Sequence, residues 1–462
     1  MAMIRDGSDE CSTSPLEWWD VLPTQTAIEK SYDVEYASLT PLQDSSSLEF
    51  VVPASAGEYI DLSNTKLSLV GVITKTNGND LVATDVVAPV NDCLNSMFAD
   101  VQLSLNDRPI SHSNNMHGYI SMISHLIHDS EESLHSERSM RLIYKDTPNQ
   151  MDVTEARLPN KENNIPGHDI GRTAEDGYAV LPAEGVVGNS GLYQRYTLTR
   201  ESKPVELLGR LRIDMFEQER YLPNGVSMKL RFQRQKDQYL LMSEGNFKFK
   251  LTSAHLLVRK VRPSAGVLTG HEAALLKMPA KYPIVRKDCN TIAVPAGMRG
   301  LKRDSLFQGQ LPRRVVICMV DSAASAGAFT RNPYNFKHYN LTHMQLYKDG
   351  EPVRARPLKP NMATGSYIEC YETLYRGLNN MDGEKGSIVK RVDWDKGYSL
   401  FAYDLTPDMD ADDHSVVINR GNLRLEVEFA EPLVAPINIL LYAEFDNIIE
   451  ITADRNIQTD YV

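Results

Sequence analysis

Val226-Ser227-Met228-Lys229-Leu230-Arg231-Phe232-Gln233 alternates apolar and polar side chains without a break, and Asn224-Gly225 stands just ahead of it as a turn. Successive side chains of a strand point to opposite faces, so a period of two means one face on a core and one in water. Leu423, Leu425, Val427 and Phe429 alternate in the same way with Arg424, Glu426 and Glu428. Val101 to Leu105 repeats the pattern and runs into Asn106-Asp107, and Phe247, Phe249 and Leu251 form a further set. Val315 to Val320 and Ile437 to Leu441 are apolar on both faces, which predicts strands sandwiched between layers. Helical periodicity is scarce. It is clearest over Met116 to Ile127, where Ile120, Ile123 and Ile127 share one face, with a shorter candidate at Tyr367 to Leu378. The chain is therefore all-β with short helices in its loops.

At 462 residues the chain exceeds what one hydrophobic core serves, since single cores stop growing at roughly 250 to 300 residues. With 42% hydrophobic and 24% charged residues it can bury enough apolar surface to fold. A net charge of -12 argues against a dedicated nucleic-acid binder, which needs basic surface to displace phosphate counterions. Cys11, Cys93, Cys289, Cys318 and Cys370 lie far apart without a Cys-x-x-Cys pair, which reads as reduced thiols. No apolar run approaches the roughly 20 residues a membrane helix needs, and the acidic N-terminus offers no signal-peptide core.

A weak internal repeat divides the chain. Val52-Pro53-Ala54 recurs as Val294-Pro295-Ala296, and the turn at Asp107 recurs at Asp349-Gly350, both about 242 positions later. Each copy then continues with a helix bearing tyrosine (Tyr119, Tyr371), a long connection and an alternating strand. The strand before the second turn, with Met344 and Leu346, falls one residue out of phase with the first. Two consecutive β modules with long loops fit sandwiches or jelly rolls better than a propeller. The expected organisation is an arm over 1–47, a first module over 48–262, a linker over 263–280, a second module over 281–452 and a tail over 453–462. Asn149 to Gly191 and Asn379 to Ser387 read as inserted surface loops.

Chemical constellations are thin. His112, His117, His125, His128 and His135 lack the spacing of a metal motif. Asp408, Asp410 and Asp412 open a stretch that resembles a calcium loop, but Asp413 replaces its glycine and Asn419 its glutamate, leaving only a loose cation candidate. Glu217 and Glu219 read as the water-facing edge of a strand rather than as a catalytic pair. Arg210, Arg212, Arg231, Arg234 and Lys236, with Lys302, Arg303, Arg313 and Arg314, alternate with acids and suggest ion pairs between subunits. Trp18 and Trp19 stand in a polar arm with no core of its own, so they are expected to dock on a neighbouring subunit or on the barrel base. No enzyme motif and no cofactor site is expected.

Several segments together resemble the double jelly-roll major capsid proteins of Polinton (Maverick) elements and adintoviruses. They are Leu22 to Thr26, Glu49 to Leu62 (EFVVPASAGEYIDL), Gly209 to Met242, Gly309 to Val315 (GQLPRRV), Gly397 to Asp408 (GYSLFAYDLTPD) and Leu433 to Ile451. The resemblance implies two eight-stranded jelly-roll barrels side by side, homotrimers of pseudo-hexagonal outline tiling an icosahedral virion shell, and assembly in the host nucleus or cytoplasm. It also implies penton and minor capsid proteins as partners, with at most weak contact to packaged DNA. Two other readings are a carbohydrate-binding or hydrolysing protein of two β-sandwich domains and a host-domesticated capsid gene.

Overall fold

The computed structural model describes residues 18, 21, 23–42, 46–111, 113–134, 136–154, 188–307, 309–381, 386–409 and 414–461. The first eight barrel strands are β1 (Ile28–Ala37), β2 (Ser47–Val52), β3 (Tyr59–Lys75), β4 (Phe98–Leu105), β5 (Arg108–Ser111), β6 (Val205–Arg210), β7 (Met228–Arg234) and β8 (Phe247–Pro263). They make two antiparallel sheets, ordered β1-β8-β3-β6 and β2-β7-β4-β5. The next eight are β9 (Ala280–Val294), β10 (Gly300–Arg303), β11 (Arg314–Asp321), β12 (Leu341–Lys348), β13 (Glu351–Pro352), β14 (Leu400–Asp404), β15 (Leu423–Phe429) and β16 (Ile437–Ile451). Their sheets are ordered β9-β16-β11-β14 and β10-β15-β12-β13, the same order shifted by eight. Each set is a two-sheet antiparallel jelly roll, and the chain folds into it twice.

The alternating stretches become strands with one buried face. Met228, Leu230 and Phe232 of β7 point inward, where Phe232 meets Phe50 edge-on at 5.8 Å and Phe98 at 4.9 Å between ring centroids. Leu423, Leu425, Val427 and Phe429 line the second core in the same way.

The repeat is real, but its sequence markers are partly misleading. Val52-Pro53-Ala54 follows the second strand of barrel one, whereas Val294-Pro295-Ala296 follows the first strand of barrel two, so that match is coincidental. The turns are equivalent. Leu105 pairs with Arg108 across Asn106-Asp107, and Lys348 pairs with Glu351 across Asp349-Gly350. All four central residues have positive φ (47°, 63°, 52° and 88°), as a two-residue hairpin that follows strand twist requires. Asn106 thus corresponds to Asp349, not Asp107 to Asp349, and on that register Val101 and Leu103 fall on Met344 and Leu346, all buried. The phase difference disappears.

Ile28–Ala37, within the residues read as an arm, is an edge strand of the first barrel and pairs with β8. Residues 1–17, Trp19, residue 20 and most of the Asn149 to Gly191 insertion lie outside the described residues, as does the centre of the Asn379 to Ser387 insertion. The helices of nine residues or more among the described residues are α1 (His117–His128), α2 (Ser190–Thr199), α3 (Ala265–Leu275) and α4 (Ile368–Arg376). Helix α3 forms inside the expected linker, where glycines at 266 and 270 hid it. None of the described helices is long and apolar enough to cross a membrane.

Candidate functional site

The two barrels meet along a seam built around α1. Every residue from His117 to Ile127 is buried, although an isolated amphipathic helix would bury only one stripe. One side of α1 covers the first barrel near β4, and the other lies on the β9-β16-β11 sheet of the second. Val315 to Val320, all buried, and Ile437 to Leu441, buried but for the half-covered Asn438, are covered on both faces, as their unbroken apolar runs require.

Tyr119 of α1, Tyr239 of the first barrel and Tyr334 of the second form a mutual edge-to-face trio, with centroids 5.8–6.2 Å apart. Gly118 permits the approach, since a Cβ there would lie 2.9 Å from the Tyr334 hydroxyl. Tyr334 and Ser96 share a hydrogen bond of 2.5 Å.

Beside the aromatics lies a buried charge network. The Glu444 carboxylate of β16 accepts from Arg314 at 3.0 Å, Arg313 at 3.5 Å, Tyr442 at 2.8 Å and His128 of α1 at 3.0 Å. Burial opposes its ionisation, but the His128 hydrogen bond and the arginines outweigh burial and hold the acid well below its ordinary range. Lys287 of β9 reaches into barrel one, donating to Glu217 at 2.5 Å and Ser124 at 3.1 Å, while its backbone N–H donates to Asp214 at 3.2 Å. Burial pushes Asp214 up to about 7, against the pull of Lys287. Arg212 lies 3.5 Å from Glu217 and 3.6 Å from Asp129, which also holds His125 and Arg138.

A second polar knot centres on Asp146, fully buried with Arg195 at 2.7 Å. Asn332 of the second barrel donates to the Asp146 carboxylate at 2.9 Å, and Tyr398 donates to its carbonyl at 2.9 Å. Asp152 accepts from the Asn332 backbone, Asn335 and Lys337 at 2.7–2.9 Å. The chain end also crosses back: Arg455 donates to the Asn224 carbonyl at 2.7 Å, and Tyr461 donates to the Ile110 carbonyl at 2.9 Å.

These contacts revise several expectations. Arg212, Arg313 and Arg314 form ion pairs within one chain, Arg313 and Arg314 on the carboxylate that His128 also holds across the seam, rather than pairs between subunits. Glu217 sits in the loop after β6, paired with Lys287, and not on a strand edge. His117, His125 and His128 hold Asn95, Asp129 and Glu444 respectively, while His112 and His135 lie outside the described residues. Asp408 pairs with His414 at 2.8 Å, and Asp410 and Asp412 lie outside the described residues. Trp18 is 78% exposed. Among the described residues no three potential metal ligands converge. Cys93, Cys289, Cys318 and Cys370 are buried, and burial raises every one of these thiols.

No known family model matches the chain. An uncharacterized protein of Caenorhabditis elegans is 23% identical over 450 residues, covering 94% of this chain and 98% of its own. Among solved structures, a chain of the Sputnik virophage superposes with a TM-score of 0.66 at 13% identity, covering 98% of this chain and 93% of that one. The Faustovirus major capsid protein gives 0.56 at 8% identity, covering 96% and 94%. The mavirus major capsid protein gives 0.51 at 10% identity, covering 100% and 97%. Two barrels of one strand order, joined along a buried seam and matched end to end by these chains, make the fold of this protein the double jelly roll seen in viral major capsid proteins.

Proposed function

We propose that the chain is a structural major capsid protein of an icosahedral DNA virus or virus-like element of the Polinton and adintovirus kind, acting as a homotrimer of pseudo-hexagonal outline. The observation that carries this reading is the pairing of two barrels of identical strand order by a buried aromatic and ionic seam. A rigid pair of like modules, repeated about a threefold axis, presents six like modules and packs as a near-hexagon. The motif segments quoted above and the full-length likeness to the mavirus and Sputnik chains support the lineage, and a nematode relative of matching length fits a genome-resident element.

In this reading the first barrel spans β1 to β8, α3 is the linker, and the second barrel spans β9 to β16 with a short tail. Trp18 and Trp19 belong to an arm that docks between subunits, and the long insertion after α1 faces outward or toward a neighbour. Penton and minor capsid proteins complete the shell, and the net charge of -12 leaves at most weak contact with packaged DNA. Sedimentation of the purified full chain across a concentration series tests the reading: trimers are expected, and a chain that stays monomeric at high concentration contradicts it.

A further inference from the structure

Because the two barrels share one strand order, each surface of the first has a counterpart on the second. Within one chain the helix that follows the first hairpin, α1, lies on the β9-β16-β11 sheet: Ser124 accepts from Lys287 at 3.1 Å, and His128 meets Glu444 at 3.0 Å. The helix that follows the second hairpin, α4, has no such cover. It buries Cys370, Thr373 and Leu374 on one side, whereas Ile368, on the opposite side, is 49% exposed. Open clefts of about 440 and 410 Å³ flank it, and both reach Arg356 and Glu369. Glu369 is exposed and pairs with no cation among the described residues.

The counterpart of the covered sheet is the β8-β3 part of the first barrel. Lys75 pairs with Phe247 and Asp321 with Ile437, so counting back from those strand ends sets Val70 and Val72 where Val316 and Cys318 stand. Val316 and Cys318 share with Arg314 the face on which His128 reaches Glu444, and both are fully buried. Val70 and Val72 are only half-buried. Beside them on β8, Lys248 and Lys250 are exposed and pair with no acid among the described residues. One chain therefore leaves bare both halves of a contact that it makes once internally.

We propose that α4 of one subunit lies on the outer β8-β3 face of the next, with Glu369 directed at Lys248 and Lys250, repeating between chains the α1 contact made within each. This rests on the reading of the chain as a self-assembling shell subunit and names the surfaces by which its copies join. A helix of one subunit on a sheet of the next is a head-to-tail contact, which closes into a ring when the rotation fits. Alternating that contact with its internal twin sets six like junctions around a threefold axis. The opposite charges at its rim fix the register of the two surfaces.

The test uses full-length Ile368→Cys and Thr252→Cys chains, each also carrying Cys11→Ser, so that Cys93, Cys289, Cys318 and Cys370 remain as buried thiols. The two are mixed and treated with a short bis-maleimide, and sedimentation of the same sample reports the oligomer. A covalent dimer of one chain of each kind is expected wherever trimers form. Trimers without that dimer overturn the proposal while leaving the capsid reading intact, and failure to form any oligomer overturns both. Independently, Lys250→Glu is expected to raise the concentration needed for trimers by roughly tenfold with the melting temperature of the single chain unchanged, and Glu369→Lys in the same chain to restore assembly. Unaltered assembly of Lys250→Glu, or no recovery in the double variant, overturns the proposal.

Discussion

Glu444 joins the two barrels through one buried carboxylate, with Arg313, Arg314 and His128 all directed at it. Deleting one member of such a group strands the others without water, a loss of about 3–5 kcal/mol. Glu444→Ala is expected to lower stability by that order in urea unfolding, and a change below about 1 kcal/mol would show that the seam does not depend on it. Asp214 behaves oppositely. Burial raises its folded value to about 7, so the folded state holds a proton that the unfolded chain releases above about pH 4. Its contribution is complete below pH 4 and is lost as pH climbs through 7, in a surround of Lys287, Glu217, Arg286 and Tyr461. Asp214→Asn should flatten the decline in stability between about pH 4 and 7, and an unchanged profile would assign that decline elsewhere. None of these partnerships was legible in the chain, because the groups are far apart in sequence. The one visible sign was the placing of Arg314 and Glu444 in or beside runs otherwise apolar on both faces, a cost that only a buried partner offsets.

Among the elements, α1 and the hairpins decide how the modules form and meet. Helix α1 was legible from its isoleucines, but its burial on all sides was not, since periodicity reports one stripe and the second barrel covers the rest. Gly118→Ala is expected to cost about 1–3 kcal/mol in thermal or chemical unfolding, because its Cβ would force Tyr334 and Tyr239 from the close trio. The strands were legible wherever one face stays wet, as in β7 and β15. The hairpin turns carried the true register through their positive-φ residues, whereas the Val-Pro-Ala match, set by composition alone, pointed to non-equivalent strands. β1 was missed as a strand because an edge strand with polar residues on its open side lacks a strong alternating signal. Helix α3 was missed because it fully buries none of its residues and is held by polar ties, His271 to Tyr59 and Glu272 to Arg455.

At the scale of the whole molecule, two like barrels share one buried seam, and the proposed capsid role assigns the residues ahead of β1 the task of tying units together. Removal of residues 1–26 is expected to preserve the cooperative melting of the barrels while preventing stable shells, and normal particles from that truncation would refute the role of the arm. The most direct measurement is electron microscopy of the purified full-length protein at high concentration. Particles with threefold symmetry and a hexagonal outline, showing six barrel-shaped lobes, are the expected result; isolated two-lobed monomers or assemblies lacking a threefold axis would contradict it.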